Sequence, residues 1–419
     1  MSELHRQAGL FEPIVSATGD LMGRTELAEQ IIKRLQEADC PLTIGVYGGW
    51  GTGKTSLLNL MKEASPSGLH FEYLDVWPYE ISGDLSVPLL AKIRMLIGDT
   101  FPKDLYQHEW KRVAGVLLQA GSDLLLRHVI KLELSDIERY AKNLKDVIPS
   151  GTSIRDFETI TDEIDGAQNA FKTLISLAQK ARGDKRLIFL IDNLDRCSPE
   201  NVVRLLESIK NFLYAPDCVW VFAMDSGVVA SYIDKKYDGT CMDGNSYLDK
   251  IIPEQYHLSL PPSGSEESIS NLLRRAGGDL PVEYARELPL LPSVLVPRRL
   301  LKSARKLADF FECNPYYQIN RKTVFVLILL YHTWPEFYQR ISSFDENHIA
   351  RILANFFKEQ KDAWGKYQVL PIAPKFTSDQ ELTYFLQQSF PGYVRDENIP
   401  NLIQEIRYAV EGLKRTGLP

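Results

Sequence analysis

Apolar positions along this 419-residue chain change period repeatedly, from short unbroken runs to the three-and-four spacing of a single helix face. The runs predict strands at Leu42–Tyr47, at 70–77, at Arg186–Asp192, at Cys218–Met224 and at 255–260. Leu187 to Ile191, closed by Asp192, has the form of a parallel strand buried on both faces. Helical spacing lies between them, at 24–38, 56–62, 199–213, Ser226–Lys236 and 247–252, with Ser198 placed to cap the third. Strands interleaved with helices predict an α/β fold built on a parallel sheet. Residues 86 to about 181 are mostly of helical spacing, broken around 149–152, and predict a long helical insertion between two strands. Within it Val113, Val116, Leu117, Leu124 and Ile130 mark an amphipathic, core-facing helix; Gln119, Asp123, Arg127 and His128 rule out a span. Pro261-Pro262-Ser263-Gly264-Ser265 reads as a linker. Beyond it, helical spacing at 266–276, 297–311, 321–341 and 346–358 predicts a helical C-terminal domain, dividing the chain into 1–262 and 263–419.

The chemistry is concentrated directly after the first strand. Gly48-Gly49-Trp50-Gly51-Thr52-Gly53-Lys54-Thr55 fits the phosphate-binding pattern G-x-x-x-x-G-K-[ST]. Glycines let successive backbone N–H groups turn toward phosphate, Lys54 adds a point charge, and the Thr55 hydroxyl is a ligand for Mg²⁺. A helix opening near Lys54 adds its dipole. Asp192 ends a buried strand, where an oxygen ligand for the same Mg²⁺ is wanted. Hydrolysis also needs an acid to orient water, and the next residue is Asn193, an amide that cannot take a proton. Asp195 is the candidate for that role, with helix capping or pairing to Arg196 as its alternative; Asp225, at the tip of the following strand, is a candidate γ-phosphate or water sensor, or a turn cap.

Composition narrows the class. With 44% hydrophobic and 25% charged residues the chain suits a soluble protein of two or three domains. A net charge of −7 excludes a globally cationic surface, so nucleic acid is not the indicated partner. Cys40, Cys197, Cys218, Cys241 and Cys313 form no C-x-x-C pair, and the N-terminus, with Glu3, His5 and Arg6, lacks the order of a signal peptide; a cytoplasmic protein without a transmembrane segment is expected.

The loop from Gly48 to Ser56, together with Ile191-Asp192-Asn193-Leu194-Asp195-Arg196-Cys197-Ser198-Pro199, Val219 to Asp225, and Tyr247-Leu248-Asp249-Lys250-Ile251-Ile252, resembles the KAP family of P-loop NTPases over roughly residues 18 to 340. Asp75-Val76-Trp77 and Pro297-Arg298-Arg299-Leu300-Leu301-Lys302 extend the resemblance. It departs at Asn193, where relatives usually carry a second Asp, and in an insertion without the transmembrane helices many relatives carry. The resemblance implies an additional-strand, AAA-like ATPase core with a helical lid, and relatives in phage-exclusion and other bacterial defence systems. It also implies a cofactor loop running through Ser56, an adenine site near Gly23 and Arg24, and a lid arginine, Arg298 or Arg299, reaching the phosphates; for the latter a solvated basic face is the alternative. A guanine-reading segment is missing, since Asn143-Leu144-Lys145-Asp146 has the wrong spacing, so ATP is the expected nucleotide. Lys250 or Arg196 is a candidate cation supplied in trans within a homo-oligomer.

Three function classes follow: an ATPase controlling a separate effector protein in antiviral defence, a nucleotide-gated switch with little hydrolysis, and an interaction scaffold peripheral to a membrane. No nuclease, deaminase or NAD-cleaving constellation is visible. The first two, which use the loop, share one expectation. Lys54→Ala should weaken Mg·ATP affinity at least about tenfold, about 1.4 kcal/mol, with thermal unfolding unchanged; equal affinities by calorimetry would remove the phosphate-loop assignment.

Overall fold

The computed structural model describes residues 12–119 except 21 and 65, and 154–258 except 212–214, 217 and 238–242. In the C-terminal third it describes 270, 274–276, 291, 293–316, 318–343, 349, 352–353, 356, 379–390 and 399–418. The chain forms two compact units: residues 14–18 and 24–258 make one, and the described residues of 12–13, 19–23 and 259–418 belong to the other.

The larger unit is built on five parallel strands, β1 (Leu42–Tyr47), β2 (Leu69–Asp75), β3 (Arg186–Asp192), β4 (Cys218–Met224) and β5 (Glu254–His257), in the order β2-β3-β4-β1-β5. β4 therefore lies between the strand feeding the glycine-rich loop and the strand ending in Asp192, which is the additional-strand arrangement. The register is in step: Tyr47 pairs with Met224, Asp192 with Ala223, and Asp75 with Asp192. Every chemically interesting strand end thus falls on the same carboxyl edge of the sheet, where open α/β sheets bind ligands.

Because side chains alternate across a strand, the sheet has two apolar faces and each needs a cover. One face, with Ile44, Val46, Ile188, Leu190, Val219 and Val221, packs against α1 (Arg24–Glu37) and α2 (Lys54–Ala64). The other, with Phe189, Ile191, Trp220 and Phe222, is covered by α3 (Ser86–Ile97), α4 (Lys103–Gln119), α5 (Ile154–Ala181), α6 (Pro199–Asn211), α7 (Ser226–Lys236) and α8 (Gly244–Ile251). The inserted helices are part of the core, since Trp110 and Val113 of α4 and Phe171 and Leu174 of α5 are buried in this cluster. The expected helix from Val113 is present as far as Gln119, and its continuation to Ile130 lies outside the described residues, as does the break at 149–152.

The second unit has its own core, from α9 (Pro297–Cys313), α10 (Arg321–Thr333), α11 (Pro335–Ser343), α12 (Gln380–Ser389) and α13 (Ile399–Arg415). The single helix expected at 321–341 is two helices. Pro335 disfavours helical backbone at the residue before it, and Trp334 accordingly sits at φ −129° and ψ 67°. The aromatic residues of this unit are mostly packing residues: Phe310, Phe337 and Tyr338 are buried, and Phe311, Tyr331 and Trp334 pack against the same cluster. Tyr316 is exposed and Tyr317 lies outside the described residues, as do most of 266–276 and 346–358. Among the described residues no helix is long and apolar enough to cross a membrane.

Trp220 is fully buried and stacked on Phe189 with ring centroids 4.7 Å apart. Trp220→Ala should therefore cost about 3–5 kcal/mol, measured by denaturant unfolding of the whole chain.

Candidate functional site

From the end of β1 the chain turns through residues 48–53 into α2. Gly51 and Gly53 adopt φ +81° and +99°, conformations that a Cβ would strain. At Gly48 the constraint is space, because a Cβ there would lie 2.7 Å from Thr52 Oγ1. The loop is pinned by the Gly48 N–H to the Met224 carbonyl (3.2 Å) and braced by the Thr52 hydroxyl to the Gly49 carbonyl (2.8 Å). Lys54 Nζ is buried and donates to the carbonyls of Gly48 at 2.7 Å and Gly49 at 3.2 Å. Burial lowers its pKa, while the carboxylates of Asp195, Asp192 and Asp225 pull in the opposite direction. A buried ammonium inside a ring of backbone dipoles at a helix N-terminus is an arrangement that fits phosphate.

Asp192, at the tip of β3 and 1% exposed, is the centre of the acidic side. Its Oδ2 accepts from Thr55 Oγ1 at 2.6 Å and from the Tyr73 hydroxyl at 3.0 Å, and Oδ1 accepts from the Asn193 N–H at 2.8 Å. Burial raises its pKa, opposed by those three donors. Asn193 follows in the left-handed region, φ 63°, which Asn tolerates better than most residues. Its amide donates to Asp75 Oδ1 at 3.0 Å, and the same oxygen accepts from the Trp77 N–H at 3.1 Å. An amide can donate there, which an ionised carboxylate cannot.

Asp195 lies in the 3₁₀ turn Leu194–Arg196 and is buried, its Oδ2 accepting from the indole N–H of Trp50 at 2.9 Å. Arg196 places its guanidinium 5.0 Å from the ring centroids of both Trp50 and Trp77. Asp225 caps α7 through Oδ1, which accepts from Gly227 N at 3.1 Å and Val228 N at 3.4 Å, as its capping alternative required. Its Oδ2 nonetheless points back to the loop, 3.9 Å from where a Cβ on Gly49 would stand.

The structure thus gathers Gly48, Gly49, Trp50, Gly51, Thr52, Gly53, Lys54, Thr55, Asp192, Asn193, Asp195 and Asp225 at one sheet edge. Arg24 joins them, buried, with Nη2 3.4 Å from the Thr52 carbonyl. Ser56 faces elsewhere: its hydroxyl accepts from the Ile14 N–H at 3.2 Å, and Asn59 donates to the Ile14 carbonyl at 2.9 Å, so this part of α2 secures the segment ahead of α1. Gly23 and Arg298 belong to the other unit, where Gly23 has φ +65° and Arg298 stands in the first turn of α9 beside Arg299, which donates to the Ser293 carbonyl. Lys250 lines a cavity of about 210 Å³ with Pro41, Leu42 and Thr43, at the end of β1 away from the loop, and so takes no part in the site of its own chain. Tyr73 was not legible as a site residue, because only the pairing of β2 with β3 brings its hydroxyl to Asp192. Among the described residues no His, Cys, Asp and Glu cluster forms a separate metal site.

The raised pKa of Asp192 has a direct consequence for stability. An acid whose folded pKa exceeds its unfolded value is destabilising above the folded pKa, and the cost disappears as pH falls through it. Asp192→Asn should accordingly melt at or above the parent's temperature at pH 7, the gap closing in acid, as read by calorimetric scans at stepped pH. A clear loss of stability at pH 7 would contradict it.

Comparison with known proteins agrees with this geometry. The phage T7 exclusion protein of Escherichia coli (strain K12) is 23% identical over 284 residues, 62% of this chain and 36% of that protein, so the chain spans about a third of that relative's length. The model of the KAP family P-loop domain matches residues 24–287, more than half of the chain and all five strands. This chain belongs to the KAP family of P-loop NTPases, a nucleotide-binding family.

Proposed function

We propose that this chain is an ATPase that binds Mg·ATP at residues 48–55 and uses its hydrolysis to control a separate effector protein in antiviral defence, in the cytoplasm. The observation that carries the proposal is the Thr55–Asp192 hydrogen bond, two side-chain oxygens meeting at the helix start from which Lys54 reaches back to the Gly48 carbonyl. Those two oxygens, both held on rigid elements, fit a hard cation, and Thr55 and Asp192 would hold Mg²⁺. The ion, when bound, supplies positive charge against the β- and γ-phosphate oxygens. Lys54 exchanges the Gly48 and Gly49 carbonyls for phosphate oxygens, and the loop N–H groups and the α2 dipole add to it. Asp195 accepts a hydrogen bond from the attacking water, and Asp225, anchored by its capping bonds, faces the loop as a sensor.

The role in defence follows the curated relative, whose name refers to phage exclusion. Arg298 or Arg299 in the other unit is the proposed lid cation, with Gly23 and Arg24 flanking the base. A homo-oligomer with Lys250 at a neighbour's site is the proposed way to complete the charge. A nucleotide-gated switch is the second reading, favoured by Asn193, whose amide is committed to Asp75 where an acid would otherwise stand.

The two readings separate on turnover. Asp195→Ala should lower phosphate release about 10²-fold with ATP affinity nearly unchanged. If the unmutated protein binds ATP but releases no phosphate, with its effector present, the ATPase reading fails and the switch stands.

A further inference from the structure

Phosphate binding accounts for the loop backbone, Lys54 and Thr55, but not for the side chain at position 50. Trp50 is 64% exposed, a costly place for an indole, and yet it is held on both its edge and its face. At the edge, Nε1–H donates to Asp195 Oδ2 at 2.9 Å. Over the face stands the Arg196 guanidinium, which is also over the Trp77 ring at the same 5.0 Å. Arg196 Nε is buried and has no hydrogen-bond partner among the described residues, so aromatic faces help to hold this cation in place. Trp77 is in turn fixed by its N–H to Asp75, which also takes the Asn193 amide. On the inner side the Tyr232 hydroxyl donates to the Asp195 carbonyl at 3.4 Å.

We propose that Trp50 is a positioning residue for Asp195: its indole N–H fixes Oδ2, leaving Oδ1 to accept from the attacking water, while Arg196 and Trp77 hold the ring in place. The phosphate loop and the water-orienting acid are thereby one mechanical unit, and displacement of the loop moves the carboxylate. The inference rests on the hydrolytic reading and names a part of it that the loop motif does not contain, since the pattern leaves position 50 open.

The test uses the full chain and Trp50→Phe, which keeps an aromatic face for Arg196 and removes the N–H. The kcat for ATP should fall at least about tenfold, the range expected for a lost hydrogen bond to a charged group. KM and the melting temperature should stay close to the parent's. In an Asp195→Ala background the same change should lower kcat little further, because the two act as one. A readout independent of turnover is the indole ¹H–¹⁵N resonance of Trp50, identified by its loss in Trp50→Phe, which Asp195→Ala should shift. An unshifted resonance overturns the hydrogen bond. Parental kcat in Trp50→Phe overturns the positioning role while hydrolysis stands. Binding without turnover in the unmutated protein overturns the hydrolytic reading and the role together, a result distinct from both.

Discussion

The 2.6 Å hydrogen bond between Thr55 and Asp192 joins the first turn of a helix to the tip of a strand two places away in the sheet. It requires that β4 be inserted between β1 and β3 and that all three strands end within one residue of one another. Were the register of β3 shifted by a single residue, Asp192 would turn to the opposite face and the pair would be lost. The carboxyl edge of the sheet is therefore where parallel pairing, helix dipole and buried carboxylate meet, and the site exists because the two-sided apolar core holds that alignment.

This alignment has an electrostatic cost. Asp192 is almost fully buried, and among the described residues no cation is bonded directly to it; burial drives its pKa up despite three donors. Lys54 shows the mirror image, its pKa driven down by burial and supported by three carboxylates. Both charges are held against desolvation by bonds that a ligand can replace, the usual condition of a site shaped for something other than its own stability. Away from the site the same unit spends its charges conventionally. Arg34 pairs with Glu254, and Lys92 with Glu72, on partly exposed surfaces.

The second layer of the site is aromatic. Arg196 lies over the rings of both Trp50 and Trp77, and Asp75 links the Trp77 backbone N–H to the Asn193 amide. Glu80, farther along the same turn, accepts from the Ser198 N–H and from Asn201; burial opposes its ionisation, but these bonds prevail and lower its pKa. The segment after β2 and the segment after β3 are thus fastened to each other as well as to the loop. In that setting Asn193 reads as a residue chosen for a left-handed backbone and a donated hydrogen bond, which explains an amide where an acid was expected.

The sequence by itself determined the strands, the two-sided burial of β3 and the phosphate loop, because these depend on local information: unbroken apolar runs, and glycines whose spacing has one chemical use. It also singled out Asp192 and Asp195 as carboxylates near the ends of such elements. It missed the break before Pro335 despite a local signal for it, having weighted apolar spacing above the backbone restriction. Other features were decided only by tertiary structure. Tyr73 reaches Asp192 through strand pairing; Ser56, although directly after the loop motif, faces Ile14 because α2 rotates it away; Lys250 is carried to the opposite end of β1 by the helix it sits on. Each of these depends on which elements become neighbours and at what register. That choice is made by the packing of two apolar sheet faces over the whole unit, and no stretch of sequence short enough to carry a motif contains it.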